Sequence, residues 1–432
     1  MPDLRKQIVN KKILIYGYGI SGKASFNYLK KNNNVVIYDD DKSLIPSKFK
    51  KCKFNKYKIQ NNQFDLIIIS PGINIKKCGL KNFLKKNKSK VVTELDIFYL
   101  DNLQNKKITI TGTNGKSTTS KLLYEVLKKS KKDVRLVGNI GRPLLLETNI
   151  KKNTIFVIEA SSYQIEYSKY FKTELAAILN ISPDHLERHE TFNKYVNAKL
   201  KLVYSQKKGD FVFMDKKNLR LLDKVKVKSR VIIVNNNSIN KLRIKNDYFR
   251  NLNNINNLSF VLAITKKLKI NQKKVLNVIN FFKGLPYRQQ IVYKKKNLQI
   301  INDSKSTSFS STVELLKSYK NIYWLVGGQS KKGDKFILKK NYYKNIRAYI
   351  YGKNKKFFSD KLRNKINFKK FKNLRYALLG MIIDVKKDRD EEKNIIFSPC
   401  SASFDQFKNF EERGKYFNQL LKKINFLKKI YA

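Results

Sequence analysis

The stretch that most constrains this chain is Ile108-Thr109-Ile110-Thr111-Gly112-Thr113-Asn114-Gly115-Lys116-Ser117-Thr118-Thr119. A β-branched run passes into a turn bracketed by two glycines, and a helical pattern takes over from Ser120 to Lys129. A strand that delivers a glycine-rich loop to a helix N-terminus offers main-chain N–H groups and a helix dipole to phosphate. Lys116 would reach the terminal phosphates, and the Ser117 hydroxyl would ligate Mg²⁺. The usual spacing would put the first glycine at position 110, where this chain has Ile. A bare Gly-Lys-Ser also arises by chance in lysine-rich chains, so phosphate binding and coincidence both stay open on this string alone.

The surrounding chain argues for α/β architecture. Ile13-Leu14-Ile15-Tyr16 reads as a buried strand, Gly17-Tyr18-Gly19-Ile20-Ser21-Gly22 as a second glycine loop, and Lys23 to Lys31 as a helix. A second strand, Val35-Val36-Ile37-Tyr38, ends at Asp39, about 20 positions past the glycines, as in dinucleotide-binding folds. Glycines kept only for tight strand–helix packing are the plainer alternative. An NAD-dependent dehydrogenase is the sharper one, although nothing later in the chain supplies a hydride-transfer site. A third strand, Asp65 to Ile69, ends in Ser70-Pro71-Gly72-Ile73 at the edge where such folds bind ligands.

Further on, Thr154-Ile155-Phe156-Val157-Ile158 is a buried strand that presents Glu159, and Ala160 to Gln164 caps the next helix. A carboxylate there either ligates a nucleotide-bound Mg²⁺ or simply favours the helix N-terminus. Both histidines fall in Asn180-Ile181-Ser182-Pro183-Asp184-His185-Leu186-Glu187-Arg188-His189. His-x-x-x-His can be a zinc pair, but the Glu is misplaced for the metalloprotease motif and no third ligand is evident. Lys199 sits on a helical stretch, Tyr195 to Lys201, and by composition is one solvated lysine among many. Three strands in the last third (Leu298–Ile301, Tyr323–Val326, Ile395–Phe397) end in small polar residues, which suggests a parallel sheet with a pocket at one edge.

The chain has 432 residues, enough for two or three domains. Its 93 Lys+Arg against 33 Asp+Glu give a net charge of +60, which first suggests a nucleic-acid binder. The lysines are spread through every region, however, on the polar sides of patterned segments, so no specific nucleic-acid partner is expected. Cys52, Cys78 and Cys400 form no Cys-x-x-Cys pair, and no apolar run approaches the ~18 residues of a membrane span. With no signal-peptide core at the N-terminus, a cytoplasmic location without membrane insertion is expected.

Taken as a string, Thr-Gly-Thr-Asn-Gly-Lys-Ser-Thr resembles the ATP loop of the Mur ligases and folylpolyglutamate synthases, which form amide bonds through an acyl phosphate. Glu159-Ala-Ser-Ser-Tyr-Gln-Ile-Glu and Asn-x-Ser-x-Asp-His-Leu-x-Arg-His are similar to Mur-ligase strings. Asp303-Ser-Lys-x-Thr and Ser403-x-Asp-Gln-Phe-Lys-Asn-Phe-Glu-x-Arg-Gly resemble the D-glutamate-adding branch. The resemblance implies three domains meeting at one cleft: a Rossmann-like domain (1–97), a central P-loop-type ATP-binding αβ domain (98–284) and a C-terminal Rossmann-like domain (285–432). It implies ATP on Gly112, Thr113, Asn114, Gly115, Lys116, Ser117, Thr118, Asn254, Asn257, Arg288 and Asp303. Two Mg²⁺ are implied on Ser117, Glu159, His185 and a carbamylated Lys199, with Lys116, His185 and Lys199 catalytic. It implies UDP-N-acetylmuramoyl-L-alanine at Gly19, Ile20, Ser21, Asp39, Gly72 and Asn139, and D-glutamate at Lys305, Thr307, Lys331, Ser403 and Phe410. Asn253 stands where the family usually has His. The expected partners are these small molecules, acting on a monomer. A sister Mur ligase for another amino acid, or a folylpolyglutamate synthase, remains the alternative.

Overall fold

A computed structural model describes residues 8–223, 226–237, 239, 242, 244–295, 297–330, 334–388 and 392–431. They build two compact units, one comprising 1–238 and 259–275 and the other 239–258 and 276–432. The first unit holds two sheets. One contains β1 (Lys12–Tyr16), β2 (Asn34–Tyr38), β3 (Leu66–Ile69) and β4 (Val91–Val92), in the order β2-β1-β3-β4. The other contains β5 (Lys106–Thr111), β6 (Val134–Gly138), β7 (Ile155–Glu159), β8 (Leu175–Ile178), β9 (Phe211–Asp215) and β10 (Arg230–Val234), in the order β10-β9-β8-β5-β7-β6. Every pairing in both sheets is parallel. The apolar runs explain this, because strands covered by helices on both faces are buried throughout their length. Ile13 to Tyr16 and Phe156 to Glu159 are all buried.

One apolar core serves both sheets. Ile13, Ile15, Ile37 and Ile68 of the first belong to the same buried cluster as Phe156, Ile158, Ile178 and Met214 of the second. Phe98, on the helix Glu94–Asp101, meets Phe156 edge to face with centroids 4.8 Å apart. That helix is tied down by Asp96, which is fully buried. Its carboxylate accepts from the Thr93 amide and hydroxyl, the Ser168 hydroxyl, and the amides of Lys169, Tyr170 and Phe171.

The second unit holds β11 (Gln290–Lys295), β12 (Leu298–Asn302), β13 (Ile322–Gly327), β14 (Ile346–Tyr351), β15 (Asn367–Lys370) and β16 (Lys393–Phe397), ordered β11-β12-β16-β13-β14-β15. Only β11 runs antiparallel to its neighbour. Apolar clusters cover both faces, with Trp324 and Phe309 on one and Phe397 stacked on Phe417 at 4.3 Å on the other. The three strands read from the sequence, β12, β16 and β13, are adjacent and parallel, so their carboxyl ends share one edge.

Some elements start elsewhere than the periodicity suggests. The helix after the phosphate loop begins at Lys116 rather than Ser120, because Gly115 takes the N-cap with φ +85° and leaves Lys116 to Thr119 free to form the first turn. The first helix runs Ile20–Leu29, starting directly on Gly19. Residues 206–250, uninformative as sequence, contribute β9 and β10.

Candidate active site

β5 lies at the centre of its sheet between β7 and β8, so the loop after it opens where the chain's crossovers diverge, the position that binds ligands in open α/β sheets. Gly112 (φ +153°) and Gly115 (φ +85°) occupy conformations that side chains disfavour, and a Cβ on Gly112 would stand 3.1 Å from Leu179 Cβ. Asn180, two residues past β8, clamps the loop. Its carbonyl accepts from the Thr113 amide and its Oδ1 from the Asn114 amide, both at 2.8 Å, while its Nδ2 donates to Asn114 O at 3.0 Å. Thr113 Oγ1 donates to Ser182 O (3.1 Å), accepts from the Ser182 amide (3.0 Å) and meets Tyr195 Oη at 3.0 Å. The Lys116 ammonium donates to Gly112 O and Thr113 O, each at 2.9 Å. Ser117 and Thr118 are buried in the first turn of the 14-residue helix Lys116–Lys129, where the helix dipole favours an anion.

Lys199 is the most unusual group nearby. It lies on the helix Phe192–Tyr204, 1 % exposed, with Nζ donating to Gly112 O at 2.9 Å and sitting 4.7 Å from the Tyr195 ring centroid. Burial, reinforced by the Lys116 charge, drops its pKa well below the usual lysine value, against the opposing pull of Asp184 and Glu159. A lysine in this state carries a nucleophilic neutral amine at lower pH than its solvated counterparts. It is not a solvated lysine.

Glu159 ends β7 beside Ile110 of β5 and is buried. Its Oε1 accepts from Asn139 Nδ2 at 2.7 Å, while its Oε2 is buried without a hydrogen-bond partner among the described residues. A buried carboxylate oxygen left without a donor calls for an explanation, and a cation supplies one. His185 adopts a left-handed backbone (φ +53°), with Nδ1 3.1 Å from Tyr163 Oη and Nε2 3.5 Å from Asp184 Oδ2. His189 is a packing residue: it is buried, its Nε2 meets Ser162 Oγ at 3.0 Å, and burial lowers its pKa, keeping it neutral. No group of three or more His, Cys, Asp or Glu converges among the described residues. Among these side chains the free oxygen of Glu159 is the buried anionic donor that a cation would use.

Of the residues expected at the sugar nucleotide, Gly19, Ile20, Ser21, Asp39 and Gly72 follow strands of the first sheet and Asn139 follows β6 of the second, and several are engaged by protein groups. Asp39 accepts from the Tyr18 amide (2.6 Å) and the Asp41 amide (2.9 Å), closing the glycine loop onto β2. The Ser21 hydroxyl bonds Glu94, whose burial raises its pKa despite that bond and those from the Leu144 and Leu145 amides. Asn139 faces Glu159. Gly19 and Gly72 have open space where a Cβ would stand, and Ile20 is exposed.

In the second unit, Asp303 is buried and accepts from the Ser398 hydroxyl (2.8 Å) and the Gln289 amide (3.1 Å). Burial raises its pKa to about 7. The Lys305 ammonium lies 4.3 Å and the Arg288 guanidinium 5.4 Å from the Phe410 ring centroid, so these three form one cluster. Thr307 is exposed and Ser403 buried. Lys331 lies outside the described residues. Asn254 and Asn257 are buried, and Asn254 Nδ2 holds Tyr248 O at 2.7 Å. Arg413 lies in the string that opens at Ser403, but that string does not disclose what its side chain holds. It is buried and gathers the loops after β12 and β16, donating to Ser304 O (2.7 Å), Ser401 O (2.9 Å) and Ala402 O (3.1 Å).

The sequence profile of the Mur ligase middle domain matches residues 110–283. The UDP-N-acetylmuramoylalanine--D-glutamate ligase of Rickettsia prowazekii is 32% identical over 439 residues, covering 96% of this chain and 98% of that protein. The ligase of the same name from Buchnera aphidicola subsp. Schizaphis graminum is 34% identical over 449 residues, again covering 96% and 98%. Among solved structures, the UDP-N-acetylmuramate-alanine ligase of Thermotoga maritima superposes with a TM-score of 0.56 at 16% identity, covering 96% of this chain and 100% of that one. The MurF ligase of Thermotoga maritima in complex with ADP gives 0.56 at 13% identity, covering 97% and 96%. At these identities the structures speak for the fold.

Proposed function

The chain belongs to the Mur ligase family, and from that premise we propose that its residues join D-glutamate to UDP-N-acetylmuramoyl-L-alanine at the expense of ATP. The observation that carries the chemistry is the buried Lys199 amine at 2.9 Å from Gly112 O, beneath a loop shaped for phosphate.

The loop amides and the helix N-terminus receive the ATP phosphates, with Lys116 turning from the Gly112 and Thr113 carbonyls to the terminal phosphate. The neutral Lys199 amine adds to CO₂ and loses a proton, and the resulting carbamate is an anionic oxygen donor. Ser117, Glu159, His185 and that carbamate would hold Mg²⁺, which would supply neutralisation of developing phosphate charge. The precursor carboxylate then attacks the γ-phosphorus and ADP departs, leaving an acyl phosphate. This is a step governed by positioning and electrostatics. The D-glutamate amine attacks the acyl carbon, phosphate leaves, and the amine's proton passes to solvent or phosphate. Gly19, Ile20, Ser21, Asp39, Gly72 and Asn139 are the proposed precursor contacts. Within the second unit, Asn254, Asn257, Arg288 and Asp303 are proposed for the nucleotide, and Lys305, Thr307, Lys331, Ser403 and Phe410 for D-glutamate.

No helix of the described residues is long and apolar enough to cross a membrane. The proposed setting is a cytoplasmic monomer acting on small molecules. The test is phosphate release from ATP and UDP-N-acetylmuramoyl-L-alanine with D-glutamate, L-glutamate, glycine and L-lysine offered in turn. Release with D-glutamate alone supports the reading. Release with another amino acid assigns the chain to a sister ligase, and no release overturns the assignment.

A further inference from the structure

Arg188 is a buried cation that the reaction described above does not use. Its side chain is 6 % exposed, and Nε donates to Glu166 Oε2 at 2.9 Å. The guanidinium lies 5.0 Å from the Tyr163 ring centroid and 5.3 Å from that of Tyr167. Nη1 reaches Gly72 O at 3.5 Å, and Nη2 is buried with no hydrogen-bond partner among the described residues. A buried guanidinium that leaves a donor unused costs stability, so its retention needs a reason other than folding.

The contacts on its two sides supply that reason. On one side, the Arg188 amide donates to His185 O (3.1 Å), and Tyr163, beneath the guanidinium, places Oη 3.1 Å from His185 Nδ1. On the other side, Gly72 belongs to the turn after β3, and Ser70 in that turn donates to Gly17 O (2.7 Å), at the start of the first glycine loop. A second strut runs parallel, since the Ile75 amide donates to Tyr167 Oη at 3.4 Å. One contiguous set of contacts thus links the His185 ring to the glycine loop of the first sheet through Arg188.

The geometry points to Arg188 as a positioning residue for the ligase reaction, a latch that holds the Gly72 turn in register with His185. It touches no reacting atom. The inference rests on the proposed precursor site at Gly19 and Gly72. Arg188→Lys keeps the charge beside Glu166 but loses the fork that spans Glu166 and Gly72. The expected result is a rise of about tenfold in KM for UDP-N-acetylmuramoyl-L-alanine, of the size lost with one hydrogen bond to a charged group, with KM for ATP unchanged. Tyr167→Phe removes the parallel strut and should raise the same KM by a smaller factor. The double variant should show less than the product of the two, because both hold one turn.

Wild-type protein with D-glutamate is the control. If it releases no phosphate, the functional reading fails rather than the latch. If it is active and Arg188→Lys lowers kcat for all substrates with every KM unchanged, Arg188 is merely structural and the inference is overturned. It is overturned equally if Arg188→Lys and Tyr167→Phe, both folded, bind the precursor as tightly as wild type by calorimetry.

Discussion

The two glycine loops of the first unit look alike in sequence and differ in physics. Both follow a buried strand and open a helix. In Gly17–Gly22 two of the three glycines serve packing: a Cβ on Gly22 would stand 1.9 Å from Gly17 O, and one on Gly17, which also has φ +95°, would stand 2.7 Å from Ser70 Cβ, while Gly19 faces open space. Its polar groups are spoken for, with Ser21 on Glu94 and Asp39 on the Tyr18 amide. In Gly112–Gly115 the glycines serve conformation, with positive φ at both, and two lysines converge on the Gly112 carbonyl. A glycine pattern therefore reports a close approach of backbone. The lysines that converge on Gly112 have no counterpart among the contacts of the first loop described above.

Five substitutions test this contrast. The largest effects belong to the second loop. Lys116→Met and Lys199→Met should each cut kcat/KM by about 10³-fold or more, the scale of losing a transition-state charge contact, while thermal unfolding barely moves. For Lys199→Met, removing a buried amine that resists protonation should leave stability unchanged or raised. Wild-type activity should fall in CO₂-depleted buffer and return with bicarbonate, and full activity without CO₂ would sink the carbamate. Because the Lys199 pKa is lowered, CO₂ uptake should increase as pH rises through that lowered value.

Next comes Gly22→Ala, which must move main chain and should cost about 3 kcal/mol in a thermal or denaturant melt, reaching activity only through folding. Third is Glu94→Gln. Burial holds the Glu94 proton in the folded state to a higher pH than in the unfolded chain, so stability falls as pH rises above the ordinary Glu value of 4.5. The Gln variant should lose that slope. The smallest effect is Gly19→Ala, with nothing within 4 Å of the new Cβ, at less than about 1 kcal/mol. If Gly22→Ala proved harmless to stability while abolishing precursor binding, the packing role assigned to the first loop would be wrong.

What could be read from the sequence follows the same line. Strands buried on both faces, such as β1, β5 and β7, announce themselves as unbroken apolar runs. Edge strands do not: β10 is largely exposed, β15 reads Asn-Phe-Lys-Lys, and β4 spans two residues. Lys116 and Glu159 could be singled out because each follows a strand read from its own apolar run, whereas Lys199 stood out only through the family resemblance and its burial came from the fold. Asn180, Arg188 and Arg413 also stand in recognisable strings, but what they hold was hidden, because their contacts are to residues 66, 116 and 109 positions away. Nor does spacing disclose that Ser21 and Asn139 meet carboxylates of the protein itself.

The carboxylate of Asp96 has a mechanical consequence. It gathers donors from Thr93 and from the Ser168–Phe171 strip, so sliding the helix Glu94–Asp101 along that strip would break several hydrogen bonds together. The pair between Lys76 and Glu190, exposed to solvent, is screened and yields readily. Asp96 is therefore the rivet of this joint, and Lys76 a stitch at its margin.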